Sequence, residues 1–255
     1  MAALRRHGRA ASPDSRGPVD HPEPSETRNQ LLRAMRAEDL AALRPHLRRA
    51  ELPLGTPLIQ CGQPVEDLHF LESGVASVTA EASQGRVEVG LIGREGLVGA
   101  VPVLLGTDRV AGACFMQIPG AAWRIPAAAL SEAAEARPTL RRLLLRYVQT
   151  EIVQARQTAF VNATVTLEPR LARWLLMCHD RVDGDDLPLK HAFLSMMLGV
   201  QRSGVTLALQ NLEAGGGIRG RRGRVQVLDR AQLRRVAEAS YGAPEAEYAR
   251  LIADA

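Results

Sequence analysis

The sequence predicts an α+β protein in which a β-rich half is joined by one long helix to a compact helical unit. Three observations support this fold class. Short β-prone runs alternate with glycines between residues 51 and 126, an uninterrupted helical pattern follows, and two short helices with a hairpin come after it. No long helix separates the β-prone runs, so the pattern does not fit a parallel sheet.

The composition is that of an ordinary globular protein. Hydrophobic residues make up 46% of the 255 residues and charged residues 24%. No apolar run approaches the roughly 18 residues that cross a bilayer, and the first arginines precede no apolar segment, so we expect neither a secretory signal nor a membrane partner. Cys61, Cys114 and Cys178 are odd in number and far apart, which predicts free thiols in a reducing, cytoplasmic compartment.

The amino-terminal region divides into a tail and a helix. Residues 1–28 are rich in Pro, Ser, Arg and acidic side chains and lack apolar periodicity, so we predict a disordered tail. A short amphipathic helix follows. Its apolar side comprises Leu31, Leu32, Met35, Leu40, Leu43 and Leu47.

Residues 29–137, which include that helix, are predicted to form a β domain. Regularly spaced short strands with glycine turns between them indicate a closed or sandwiched β structure. The β-prone runs are Leu68–Leu71, Val75–Ala80, Val87–Ile92, Cys114–Ile118 and Ala122–Ile125.

Residues 138–165 are predicted to form one long helix. Apolar side chains recur along it at alternating spacings of three and four residues, which is the spacing of a coiled-coil seam, and small alanines permit close helix approach. We interpret these residues as a dimer seam. The alternative is that the helix packs against the β domain of its own chain. The seam residues are Leu145, Val148, Ile152, Ala155 and Ala159.

Residues 166–241 contain two predicted helices joined by a glycine turn. The first ends at Gly199, which tolerates the positive φ of a helix terminus, and the second runs from about Arg202 to Glu213. This arrangement is a helix-turn-helix, in which the start of the second helix enters the major groove of DNA. Arginine can bind guanine through two hydrogen bonds, and glutamine can bind adenine in the same way. We therefore predict base reading by Gln201, Arg202, Ser203 and Thr206.

A basic β-hairpin follows the two helices. Its apolar residues alternate around a turn near Arg222-Gly223, and its arginines would repel one another without a counterion such as DNA phosphate. The segment from Leu187 to Arg235 contains nine basic and two acidic residues, which gives it a net charge of +7. A helix-turn-helix with a basic hairpin is a winged helix, and the alternative is a hairpin exposed only to solvent. The predicted contacts to the DNA backbone are Lys190, Gln210, Arg219, Arg221, Arg222 and Arg224.

The resemblance to a known family is carried by residues in both halves of the chain. The run Leu198–Thr206 with Ile218 after it, and the glycine and apolar pattern from Gly55 through Leu68–Leu71 to Gly74, both contribute. On these residues, the chain from about Asn29 to Tyr241 resembles the Crp/Fnr family of bacterial transcription regulators.

The resemblance implies an architecture and a set of partners. The β domain would be a double-stranded β-helix, jelly-roll-like and of the cyclic-nucleotide-binding type, followed by a dimerisation helix, a winged helix-turn-helix and an extension over residues 242–255. It implies a homodimer on a roughly palindromic site in double-stranded DNA, a small-molecule effector, and RNA polymerase as a further partner. A binding module whose carboxy-terminal domain contacts a protein instead is the alternative function.

The predicted effector pocket departs from the pattern of family members that bind cyclic AMP. Those members carry Gly-Glu early and Arg-Ser late in a phosphate-binding cassette, where this chain has Gly99-Ala100 and Arg109-Val110. The substitutions remove the carboxylate for the ribose hydroxyl and one phosphate donor. We therefore predict that the effector is not cyclic AMP.

Motifs for metals, cofactors and catalysis are weak in this sequence. An iron–sulfur cluster needs about four thiolates, and the acidic loop Asp180–Asp186 lacks the downstream glutamate of a calcium loop. We expect no metal, no cofactor and no enzymatic activity. Haem ligands are suggested by residue type alone at His46, His69, His179 and His191.

Overall fold

A computed structural model of the chain describes residues 26–83, 85–189 and 191–253. It confirms the α+β class and the predicted order of β domain, long helix and helix-turn-helix. Most of the predicted tail, residues 1–25, lies outside the described residues. Thr27 and Arg28 at its end are fixed and not disordered, because the Thr27 hydroxyl donates a hydrogen bond to Glu72 and Arg28 pairs with Asp183 at 2.6 Å.

Two short helices and a 3₁₀ turn replace the single amphipathic helix that we predicted. They are α1 (Gln30–Ala34), α2 (Ala37–Leu43) and the turn Arg44–His46. The chain is extended at Met35 and Arg36, which ends the first helix. All six predicted apolar residues are nevertheless buried, so the periodicity identified the buried face correctly and missed the break.

Two antiparallel sheets of four strands each form the β domain within the described residues. Their strand orders are β1-β8-β3-β6 and β2-β7-β4-β5. All five predicted runs are strands, whereas β1, β2 and β6 were not predicted. The strands are β1 (Arg48–Leu52), β2 (Pro57–Ile59), β3 (Asp67–Leu71), β4 (Val75–Ala82), β5 (Gly85–Ile92), β6 (Leu97–Val98), β7 (Gly112–Ile118) and β8 (Gly120–Pro126).

Helices α3 (Ala100–Leu104), α4 (Ala127–Ala136) and α5 (Pro138–Thr164) complete this half of the molecule. The long helix α5 matches the prediction within one residue. One face of α5 packs against its own chain through buried Leu140, Leu144 and Tyr147. No helix within the described residues is long and apolar enough to cross a bilayer.

The predicted dimer seam residues differ in how far they are buried. Val148 is 3% exposed and belongs to the core of its own chain, so its assignment to the seam was wrong. Leu145, Ala155 and Ala159 are exposed and Ile152 is half-buried. One face of α5 packs against its own β domain, as the alternative predicted, and the opposite face is open, so the dimer seam stays a prediction.

The carboxy-terminal third contains the predicted helical unit and its hairpin. A three-stranded sheet in the order β10-β11-β9 packs beside the helices. The elements are α6 (Leu167–His179), β9 (Asp186–Leu187), α7 (His191–Leu198), α8 (Arg202–Ala214), β10 (Ile218–Arg221), β11 (Arg224–Val227), α9 (Arg230–Ala237), α10 (Ala243–Tyr248) and a π-helical turn (Ala249–Ala253).

The carboxy-terminal extension folds back onto the long helix. Ile252 is 4% exposed and packs in the same core as Leu140 and Leu144 of α5. The Tyr248 hydroxyl donates a hydrogen bond of 2.8 Å to the backbone carbonyl of Glu95, which precedes β6. The extension thus connects the end of the helix-turn-helix unit to the β domain and α5.

Candidate nucleic-acid interface and effector cavity

The helix-turn-helix consists of α7 and α8, which pack through buried aliphatic side chains. Leu194 and Met197 of α7 meet Val205 and Leu209 of α8 in one core. Gly199 ends α7 with a φ of 64°, a left-handed conformation that glycine adopts without a steric penalty. The turn therefore fixes the two helices in the arrangement that the sequence predicted.

Polar side chains cluster at the start of α8. Gln201, Arg202 and Ser203 are exposed, and no hydrogen bond or ion pair engages the Arg202 guanidinium among the described residues. Gln201 occupies the N-cap position but makes no side-chain capping bond. Thr206 is half-buried, and its hydroxyl donates a hydrogen bond of 3.0 Å to the Arg202 carbonyl. Three of the four predicted base-reading residues thus have exposed heads, and the Thr206 hydroxyl keeps only acceptor capacity.

Leu207 is a residue on α8 that the sequence analysis did not select. Its side chain is 60% exposed, and it lies one helical turn after Ser203. An exposed leucine outside the buried stripe is a suitable partner for the methyl group of thymine. The apolar periodicity of α8 contained this signal, because Leu207 does not fit the inward positions of Val205 and Leu209.

The wing is a tight hairpin whose arginines are open to solvent. Strands β10 and β11 pair antiparallel, with Arg221 opposite Arg224 and Gly223 in the turn at a φ of 72°. Glu213 of α8 accepts a hydrogen bond of 3.0 Å from the Gly220 amide, which joins the wing to α8. No ion pair neutralises the predicted wing arginines within the described residues. The exposed guanidinium groups are those of Arg219, Arg221, Arg222 and Arg224.

The two remaining predicted backbone contacts have different outcomes. Gln210 is exposed on α8, where it is open to solvent. Lys190 lies outside the described residues.

The acidic loop and His179 have structural partners, whereas Nδ1 of His69 is buried without a hydrogen-bond partner among the described residues. Asp180 pairs with Arg230 at 2.5 Å, and Asp183 accepts hydrogen bonds from Arg28 and Arg94. His179 lies 2.9 Å from Asp185, whereas burial lowers the pKa of His69 to about 4. No group of three or more His, Cys, Asp or Glu side chains in the described part of the chain is positioned to hold a metal ion.

The helix-turn-helix unit is docked on the β2-β7-β4-β5 sheet. The rings of Phe193 in α7 and Phe115 in β7 meet edge to face with 6.3 Å between centroids. Met197 Sδ lies 3.3 Å from the Ser77 hydroxyl oxygen. Gly199, in the turn itself, faces Val87 of β5. The β domain therefore contacts α7, the first helix of the helix-turn-helix, and the turn that follows it.

A buried carboxyl group lies within this docking interface. Glu88 of β5 accepts hydrogen bonds from the Ser77 hydroxyl at 2.6 Å and from the Trp174 indole of α6 at 2.5 Å. Burial raises the pKa of Glu88 to about 7, although these two hydrogen bonds and the nearby Arg173 and Arg181 oppose the shift. Glu88 thus links the β domain to the helical unit through a group that changes charge near neutral pH.

A cavity of about 380 Å³ lies between β4, β5 and β7 on one side and α5 on the other. Gly99 and Val110 of the predicted effector pocket line it. Ala100 is instead buried at the start of α3, and Arg109 is an exposed residue that pairs with Asp108 at 3.4 Å. Two of the four predicted pocket residues are therefore not part of the cavity wall.

Two family models match the chain, one in each half. The model described as cyclic nucleotide-binding domain matches residues 49–137, and the model described as Crp-like helix-turn-helix domain matches residues 169–236. Together they span more than half of the chain and coincide with the β domain and the helix-turn-helix unit. No curated protein matches the sequence.

Solved structures share the fold at low sequence identity. A Crp/Fnr-family transcriptional regulator from Eubacterium rectale is 15% identical with a TM-score of 0.65, and the match covers 81% of this chain and 97% of that chain. FixK2 from Bradyrhizobium japonicum is 17% identical with a TM-score of 0.65, covering 76% and 98%. The c-di-GMP-responsive regulator CLP from Xanthomonas campestris is 19% identical with a TM-score of 0.60, covering 75% and 99%. With both family models matched in this order, the chain belongs to the Crp/Fnr family of transcription regulators.

Proposed function

We propose that the chain acts as a homodimer that binds a roughly palindromic DNA site and responds to a small molecule held in its β domain. The observation that carries the DNA-binding part is the wing. Its four exposed arginines have no protein counter-charge within the described residues, and Glu213 joins the wing to the recognition helix. Phosphates on either side of a groove supply that counter-charge.

The division of roles on this surface follows from the chemistry of each side chain. Arg202, Gln201 and Ser203 read base edges, Thr206 contributes an acceptor, and the wing arginines with Gln210 contact phosphates. Leu207 adds an apolar contact to a thymine methyl group.

The homodimer is supported by the open face of α5. Leu145 and Ala159 are exposed on that face, and Phe160 beside them is 59% exposed. Ile152 and Ala155 lie at its edge, where they also line the cavity. Exposed apolar side chains along one face of a 27-residue helix favour pairing with a second helix. Two recognition helices related by a two-fold axis would then read two related half-sites.

Strand β5 connects the cavity to the helix-turn-helix unit, so a bound effector could act on DNA binding through it. Val89 and Leu91 on β5 line the cavity, whereas Glu88 and Val87 on the same strand contact the helix-turn-helix unit. A ligand that shifts β5 would change the surface on which α6 and α7 are docked. The proposed regulation is a change in how firmly the reading unit is held against the β domain.

Selection of random-sequence duplexes by the full chain, followed by sequencing, tests this function. The expected result is enrichment of a motif made of two inverted half-sites, centred one helical turn or a multiple apart. Enrichment of a single unrepeated half-site would contradict the dimeric mode. Recovery of the input pool without any enrichment would contradict sequence-specific DNA binding.

A further inference from the structure

The cavity beside α5 has a wall that is almost entirely aliphatic. Val78, Val89, Ile92, Val101 and Ile152 contribute to it from two strands and two helices. A volume of about 380 Å³ is at the small end of the range for ligand pockets. The cavity therefore suits a small molecule with a large fraction of apolar surface.

The charges around this cavity do not suit a phosphate. No lysine or arginine is among the described residues that line it, and the one acidic side chain in the wall is Glu151 of α5. Arg109, which we predicted to correspond to the family's phosphate-binding arginine, has a side chain that is 59% exposed and pairs with Asp108. A phosphate anion would be desolvated beside a carboxyl group without any cation, which is strongly unfavourable.

The polar groups in the wall are mostly satisfied within the protein. The Gln154 amide accepts a hydrogen bond of 2.6 Å from the Leu91 amide and donates one of 3.1 Å to the Leu91 carbonyl. The Thr79 hydroxyl donates to the Ala113 carbonyl at 3.2 Å. Neither side chain therefore has its full hydrogen-bonding capacity left for a ligand.

Glu151 is the exception among these groups. Its Oε1 atom is buried and has no hydrogen-bond partner among the described residues. Burial raises the pKa of Glu151 to about 8, with Glu95 reinforcing the shift and the Tyr147 hydroxyl opposing it. At neutral pH the carboxyl group is mostly protonated, so it can both donate a hydrogen bond to a ligand and accept one.

We infer that the cavity binds an uncharged, mainly apolar small molecule that hydrogen-bonds Glu151 through one hydroxyl or carbonyl group. This ligand class differs from that of a cyclic nucleotide. The inference rests on the proposed function only in treating the β domain as a sensor. A ligand of this kind would contact both α5, which carries the proposed seam, and β5, the strand on which the helix-turn-helix unit is docked.

Titration of the full chain with naphthalene and 2-naphthol tests the inference, because the two neutral probes differ in one hydroxyl group. Both should bind saturably at one site per chain, with 2-naphthol about tenfold tighter, the advantage that one buried hydrogen bond gives. Glu151→Leu should remove this preference and retain naphthalene binding, whereas Glu151→Gln should keep most of the preference. Failure of both probes to saturate, or a preference unchanged in Glu151→Leu, would overturn the inference.

Two further variants locate the site. Val89→Phe should fill part of the cavity and weaken both probes at least tenfold, while Arg109→Ala should change neither affinity. Circular dichroism shows whether Val89→Phe folds. If it does not fold, the comparison of Glu151→Leu with Glu151→Gln tests the inference by itself. Displacement of 2-naphthol by cyclic AMP in wild type but not in Arg109→Ala would overturn the inference. Protein that binds selected DNA but neither probe would refute the ligand class and leave the DNA-binding proposal standing.

Discussion

Arg202 and Arg222 are both exposed arginines of the winged helix, and their positions predict different effects of substitution. Arg202 lies at the start of α8, so Arg202→Ala should cost about 1–3 kcal/mol of binding free energy and relax specificity at one base pair. Arg222 lies in the wing turn, so Arg222→Ala should weaken binding to every sequence by a similar factor. Binding of the two variants to a panel of single-base operator variants measures both effects. Indistinguishable profiles would show that the assigned roles are wrong.

Leu207 gives a second prediction at the scale of one side chain. If it contacts a thymine methyl group, replacing that thymine by deoxyuridine in the operator should weaken wild-type binding by about 0.8 kcal/mol, the value of one buried methylene group. Leu207→Ala should bind the thymine and deoxyuridine duplexes equally. Because the side chain is 60% exposed, the variant should keep its thermal stability. A wild-type protein that is indifferent to deoxyuridine at every position would refute this contact.

The open face of α5 predicts the outcome of a charge substitution at the scale of one element. Ala159→Glu places a carboxylate in the proposed seam and should shift the protein from dimer to monomer in sedimentation equilibrium, because the buried charge would be unpaired. Gln157→Glu is the matched control: it adds the same charge two residues earlier, on a side of the helix that faces away from Ala159. A dimer that withstands Ala159→Glu, or one that both variants dissociate, would contradict the seam.

Elements with a strong local pattern were predictable from the sequence. The apolar alternation of β4 and β5 and the uninterrupted helical spacing of α5 gave bounds close to the observed ones. Strand β1 was missed because its five residues include Arg48, Arg49 and Glu51 and bury only Leu52, so its pairing with β8 determines its conformation. The wing turn and the end of α7 at Gly199 were predictable because glycine at a hairpin turn or a helix end is a specific local signal.

Contacts between distant elements were not predictable in the same way. The docking of α7 on β5 and the return of the extension to α5 depend on surfaces that become complementary only after each unit folds. Val148 shows the limit clearly, because its spacing fits a seam while its burial assigns it to the core of its own chain. In the effector pocket, the absence of the serine and glutamate stays a prediction, and the sequence could not show that the Arg109 side chain is exposed and pairs with Asp108.

Glu88 predicts how the stability of the whole molecule depends on pH. Its ordinary pKa of 4.5 is raised to about 7 by burial, so between these values the folded chain holds a proton that the unfolded chain has released. The free energy of unfolding should therefore fall by about 1 kcal/mol per pH unit as the pH rises from about 5 to about 7, and the Glu88 contribution should be constant above that range.

Urea unfolding of wild type and Glu88→Gln at several pH values measures this dependence. The glutamine is a neutral substitute that can still accept from Trp174 and bind Ser77, so the variant should lose the Glu88 part of the slope. Glu151, whose pKa burial raises to about 8, should leave a residual slope of the same sign in both proteins. Equal slopes in the two proteins would contradict the assignment of the proton to Glu88.

Salt-dependent DNA binding tests the central claim, that the winged helix binds duplex DNA through its arginines, most directly. Fluorescence anisotropy of a selected duplex should show the logarithm of affinity falling linearly with the logarithm of salt concentration, with a slope near −0.9 per neutralised phosphate. Replacing Arg219, Arg221, Arg222 and Arg224 together by alanine should flatten that slope by about 1 for each phosphate that is no longer neutralised. An affinity that is independent of salt, or a folded quadruple variant with the wild-type slope, would contradict the claim.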